Sequence, residues 1–111
     1  MQRRYDFLVI GSGMAGLSYA LKVAERGSVA VISKDSLMET NTRYAQGGIA
    51  SVMYPPDDFE KHIRDTMVSG DGLCNRDVVE MVVREAPSQI SQLIDWGIDF
   101  DRKNDGTYEL G

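Results

Sequence analysis

Gly11, Gly13 and Gly16 stand directly between a strand-like run, Phe7 to Ile10, and a helix-like run, Met14 to Ala24. At such a spacing Gly11 allows a tight turn, Gly13 lets the backbone approach a pyrophosphate, and Gly16 lets helix and strand pack closely. The pyrophosphate would then rest on the positive N-terminal end of the helix. Glycines also mark ordinary turns. Here strand, glycines, helix and a second strand-like run, Ser28 to Ser33, fall in register, so the segment reads as a β-α-β dinucleotide-binding unit.

The end of the second run departs from the common pattern. An acidic residue usually sits there to hold ribose hydroxyls, whereas this chain has Ser33 and Lys34, with Asp35 one step further on. Lys34 would suit a phosphate-bearing ribose, which keeps an NADP-binding module open, and a solvated lysine just past a strand is the plainer alternative. Next comes Thr40 to Val52, a polar run with a Gln-Gly-Gly turn. Gly47 and Gly48 would let the backbone approach a flat ligand, with Asn41, Thr42 and Gln46 supplying hydrogen-bonding groups. Taken alone, the same residues describe a polar loop closed by a glycine turn.

Other reactive side chains offer less. His62 is the single histidine and has no cysteine or second histidine near it in sequence, so packing or a satisfied hydrogen bond explains it better than catalysis or metal binding. No nucleophile stands at a convincing spacing from a base. We therefore assign no catalytic and no metal-binding residue.

The elements that must position these groups follow from periodicity. Met14 to Ala24 has apolar residues at helical spacing, and Gly27 stops that helix before the second strand. Asp57 or Asp58 can cap a helix with Phe59, Ile63 and Met67 on one face, ended by the run Ser69 to Gly72. Asn75 can cap another, with Val78, Val79, Val82 and Val83 as its apolar face, until Pro87 breaks it or restarts it as a first-turn residue. A further piece with Ile90, Leu93 and Ile94 stops at Gly97. Lys103 to Gly106 reads as the turn of a hairpin running into Tyr108 and Leu110. Trp96 and the methionines read as core. The expected class is α/β: residues 1–52 hold the dinucleotide fingerprint and the polar loop, and residues 53–111 form a helical segment and a hairpin.

Composition narrows the classes of function. The chain has 111 residues, 42% of them hydrophobic, enough for a modest core. A net charge of -5 with no basic stripe argues against non-specific nucleic-acid binding. Cys74 is the single cysteine, which excludes an internal disulfide and suits a reducing, cytoplasmic setting. Arg3 and Arg4 precede an apolar run, but Asp6, the glycines and Lys22 interrupt the stretch a signal peptide needs. No apolar run approaches a membrane span.

GSGMAGL, the Ser33-Lys34 pair and NTRYAQGGIA at this spacing resemble the start of the flavoproteins of the succinate dehydrogenase and fumarate reductase family, and within it the L-aspartate oxidase branch. The likeness continues through HIRDTMVSGDGLCNRDVVE and LIDWGIDFDR, and so spans essentially the whole chain. It implies the N-terminal portion of a Rossmann-like FAD-binding domain, an incomplete domain of a longer enzyme. By the same resemblance Ser12, Gly13, Met14 and Ala15 lie along the FAD pyrophosphate and Lys34 lies near the adenosine end, and Gly11, Gly16 and Ser33 complete this part of the expected cofactor-binding set. Asn41, Thr42, Arg43, Tyr44, Ala45, Gln46, Gly47 and Gly48 wrap the flavin. Succinate dehydrogenase flavoproteins carry Ser-His-Thr where this chain has Thr40, Asn41 and Thr42, and that histidine bonds covalently to FAD. An asparagine implies FAD held without a covalent link. The implied activity is oxidation of L-aspartate to iminoaspartate on the quinolinate route to NAD, with oxygen or fumarate as electron acceptor and possible hand-over to quinolinate synthase. The residues that grip and deprotonate substrate are expected beyond Gly111. A fumarate reductase or succinate dehydrogenase flavoprotein subunit is the nearest alternative.

Overall fold

The computed structural model describes residues 1–45 and 47–109. Its elements are β1 (Phe7–Ile10), α1 (Met14–Ala24), β2 (Val29–Ile32), α2 (Asn41–Tyr44), α3 (Phe59–Ser69) and α4 (Arg76–Asp95). They divide into two compact units, Met1–Gly47 and Gly48–Gly111.

In the first unit β1 and β2 pair in parallel, in register from Phe7 opposite Val29 to Ile10 opposite Ile32. A parallel pair needs a crossover, and α1 supplies it, packing on both strands. Val9 is buried beneath it. The open end of the pair is clipped by Asp6, whose Oδ2 accepts the Ser28 backbone N–H and the Ser28 hydroxyl, each at 2.8 Å. These bonds hold the Asp6 carboxyl below its ordinary pKa. A Cβ at Gly27 would come 2.7 Å from Asp6 Oδ2, so the residue that ends the helical run also leaves room for the clip.

In the second unit α3 packs on α4. Ile63 is fully buried, and Val83 and Ile90, about two turns apart on α4, are buried as well. Both helices start on side-chain caps: Asp58 Oδ1 accepts the Lys61 N–H at 2.7 Å, and Asn75 Oδ1 accepts the Val78 N–H at 3.2 Å. Arg84 on α4 pairs with Glu60 of α3 and, at 3.1 Å, with Glu80 one turn earlier. Its guanidinium lies 5.6 Å from the centre of the Phe59 ring.

Four sequence expectations are corrected here. Pro87 neither breaks nor restarts the helix: α4 runs unbroken past it. Proline removes the hydrogen bond to the Val83 carbonyl, but Val83 and Ile90 flank the defect on one buried face, and their packing outweighs the missing bond. The apolar face is also rotated. Val79 and Val83 turn inward, while Val78 and Val82 remain more than half exposed. Trp96, Met1, Met14, Met38 and Met81 are exposed as well, because Trp96 and Met81 fall on the far side of α4 from Ile90 and Val83 and the others lie outside packed faces. The hairpin is reduced to one antiparallel bridge, Arg102 to Tyr108, closed by the Lys103 N–H to Thr107 carbonyl bond at 2.7 Å. Leu110, its expected last strand residue, lies outside the described residues.

Candidate functional site

Parallel strands end at the same edge of a sheet, and this edge carries the site. A cavity of about 750 Å³ is lined by Ile10 at the end of β1, the turn Gly11 to Gly13, Ile32 to Lys34 at the end of β2, Glu39 to Thr42, and Tyr44. Open α/β sheets bind ligands in the crevice beyond the carboxyl ends of their strands.

The glycine turn is built as its spacing predicts. The Gly11 N–H donates to the Ile32 carbonyl at 2.8 Å, extending the strand pairing one step beyond β1. The chain then turns through φ 110° at Gly11, a left-handed value that favours glycine. A Cβ at Gly16 would collide with the Gly11 carbonyl oxygen and lie 3.3 Å from Val9 Cγ1. Gly16 is therefore the contact point of helix and strand. Gly13 is the N-cap of α1 and makes no side-chain capping bond. The first-turn N–H groups of α1 therefore receive no side-chain acceptor from their own cap.

The polar loop folds into α2, a single helical turn, where the sequence predicts only loop. Thr40 creates it: its Oγ1 accepts the Arg43 N–H at 3.2 Å. The Ala45 N–H donates to the Asn41 carbonyl at 2.9 Å. The turn is tied to the glycine unit by Thr42, whose Oγ1 accepts the Met14 N–H at 3.2 Å. Tyr44 donates its hydroxyl to Glu39 Oε2 at 3.0 Å.

Of the residues singled out from sequence, Gly11, Ser12, Gly13, Ser33, Lys34, Asn41, Thr42 and Tyr44 share the cavity wall. Met14, Ala15 and Gly16 form the first turn of α1 behind it. Arg43 and Ala45 belong to α2 and its C-cap but do not line the cavity. Gly47 has φ 111°, Gly48 opens the second unit, and Gln46 lies outside the described residues. Sequence reasoning passes over Ile10, Ile32, Glu39 and Thr40. The threonine three residues before Arg43 is a legible capping signal; Glu39 becomes visible only once the loop returns to the strand ends.

Outside this cavity, His62 is half-buried in α3. The Cys74 thiol lies 3.8 Å from the Thr66 carbonyl oxygen. Among the described residues no group of three His, Cys, Asp or Glu side chains is placed to hold a metal ion.

The site suits a pyrophosphate-bearing dinucleotide. A glycine-capped helix end, the Lys34 ammonium and an open space beside Gly11 provide anion-binding groups and room for close backbone approach.

The FAD binding domain family matches residues 6–111. The chain is 54% identical to the chloroplastic L-aspartate oxidase of Arabidopsis thaliana over 106 residues, which is 96% of this chain and 16% of that protein. It is 45% identical to the L-aspartate oxidase of Vibrio cholerae over 94% of this chain and 19% of that protein. Among solved structures, the E. coli quinol fumarate reductase matches all of this chain and 20% of its own with a TM-score of 0.89 and 37% identity. The chain thus spans about a sixth to a fifth of the length of these relatives.

Proposed function

Because this chain belongs to the FAD binding domain family, we propose that it forms the cofactor-holding portion of an FAD-dependent L-aspartate oxidase. The observation that carries the reading is the cavity in which the glycine turn and the Asn41 to Tyr44 turn meet, in a chain 54% identical to an L-aspartate oxidase. We read β1-α1-β2 as the start of a Rossmann-like sheet. Residues 1–52 would then carry the fingerprint and flavin loop, and residues 53–111 a helical segment.

Bound FAD supplies the two-electron oxidation that turns the substrate amine into an imine. The chain's own groups hold and orient it. The N–H groups at the start of α1 and the Lys34 ammonium accommodate the pyrophosphate and adenosine phosphate region, and Gly13 keeps the approach open. Asn41 to Tyr44 and the Gly47 turn shape the flavin end, with Arg43 available for polar contacts. With asparagine at position 41, FAD is held without a covalent bond. Substrate would be L-aspartate, the acceptor oxygen or fumarate, and the product would be passed on to quinolinate synthase. No helix among the described residues is long and apolar enough to cross a membrane. We place the activity in a reducing compartment, the cytoplasm in a bacterium; the plant relatives are named chloroplastic.

The likeness to quinol fumarate reductase supports a second reading, a fumarate reductase or succinate dehydrogenase flavoprotein. Asn41 in place of the flavin-linking histidine and the identity to L-aspartate oxidases favour the first. Steady-state assay of the full-length protein separates them: we expect FAD-dependent oxidation of L-aspartate and none of succinate. Succinate oxidation without aspartate oxidation would establish the second reading.

A further inference from the structure

Dinucleotide units ordinarily end their second strand on an acid that accepts hydrogen bonds from sugar hydroxyls. Here β2 is followed by Ser33 and Lys34, and the sequence leaves that acceptor missing. The fold returns one from elsewhere. Glu39, carried back by the loop that follows Lys34, lines the same cavity as Lys34 and is the one carboxylate among the described lining residues. Lys34 and Glu39 form no ion pair among the described residues, so the cavity keeps a separate cation and anion on its wall. The Tyr44 hydroxyl binds Glu39 Oε2 at 3.0 Å and sets the orientation of the carboxylate. A carboxylate has about four lone-pair sites, and this bond takes one.

We propose that Glu39 determines the cofactor specificity of this site: it accepts hydrogen bonds from sugar hydroxyls of the dinucleotide and rejects a sugar that bears an extra phosphate, while Tyr44 positions it. This inference rests on the FAD reading above. It answers the ambiguity raised by Lys34, because a lysine alone would welcome a 2′-phosphate, whereas a neighbouring carboxylate repels it. Two parts of FAD offer hydroxyls, the adenosine ribose and the ribityl chain, and one titration scheme tells them apart.

The test uses the full-length protein stripped of flavin, with Glu39→Ala, Glu39→Gln and Tyr44→Phe, each checked for a cooperative thermal transition. FAD, riboflavin, ADP and ADP carrying a 2′-phosphate are titrated into each. Hydrogen bonds to a charged group are strong enough that Glu39→Ala should weaken FAD by about tenfold. Glu39→Gln should fall between the two and narrow the preference for ADP over its 2′-phosphorylated form. Tyr44→Phe should give a smaller loss, and adding it to Glu39→Ala should cost nothing more. Weakened ADP with unchanged riboflavin identifies the ribose as the partner; the converse moves Glu39 to the ribityl chain and refutes its part in excluding a 2′-phosphate. If Glu39→Ala and Glu39→Gln bind all four ligands within twofold of the parent, the role of Glu39 is refuted, and should only Glu39→Gln fold, its result decides. Parent protein that binds neither FAD nor ADP would instead overturn the FAD reading and this inference with it.

Discussion

The backbone N–H of Met14 donates to the side-chain oxygen of Thr42 at 3.2 Å, across 28 residues of sequence. One partner opens the helix after the glycine turn, and the other sits in the helical turn made by the polar loop. The bond therefore joins two motifs that stand apart in the sequence. It also engages a first-turn N–H where an anion would be bound, so a pyrophosphate entering the cavity meets a helix end whose neighbouring loop is already in place.

Thr42→Val removes the acceptor while nearly preserving shape. A neutral hydrogen bond contributes about 1 kcal/mol, so FAD affinity of the full-length protein should fall by about fivefold, and Thr42→Ser should restore most of it. Fluorescence titration of the stripped protein measures both. Equal affinity in all three proteins would show that the bond does not organise the site.

Gly13 and Gly16 should respond differently to the same change. A Cβ at Gly16 meets the Gly11 carbonyl oxygen, so Gly16→Ala forces helix and strand apart and should lower stability by about 1–3 kcal/mol in a denaturant melt. A Cβ at Gly13 meets only Thr42 Oγ1, at an ordinary 3.5 Å. Gly13→Ala should thus keep the protein folded yet weaken FAD binding, and Gly13→Val should abolish it by filling the path of the pyrophosphate. Normal flavin content in folded Gly13→Val would disprove the assignment of that path.

The Asp6 clip gives a pH dependence with a defined sign. Hydrogen bonds from Ser28 lower the Asp6 pKa in the folded state. A depressed carboxyl contributes stability that is complete above its unfolded value, near pH 4, and is lost as pH falls through the folded value. Asp6→Asn should therefore flatten the acid limb of the stability curve and leave its slope near neutrality unchanged. Equilibrium unfolding of parent and variant from neutral to acidic pH checks this; parallel curves would remove Asp6 as a contributor.

Asn41 bears on the cofactor linkage. An amide side chain cannot form the histidyl bond to flavin, so acid precipitation of the full-length protein should release all of its FAD to the supernatant. Yellow colour retained in a washed pellet would contradict non-covalent binding.

Local chemistry makes much of this legible in advance. The glycine spacing, the apolar runs around it and the caps Asp58 and Asn75 act within a few residues, and the structure places β1, α1, α3 and the start of α4 where they indicate. Tertiary effects are less visible. Pro87 looks like a breaker until the packing of Val83 and Ile90 on either side is seen, and the inward face of α4 depends on where α3 lies. Glu39 escapes notice for a similar reason: its place at the cavity is set by the return of a loop, which no residue periodicity encodes.

If this chain holds the FAD of an enzyme acting on L-aspartate, that substrate must reduce the flavin. Anaerobic mixing of the full-length, FAD-loaded protein with L-aspartate, while the visible flavin absorbance is followed, measures this. We expect the absorbance to bleach with L-aspartate and to persist with succinate. Bleaching by succinate alone, or persistence with both, would contradict the account.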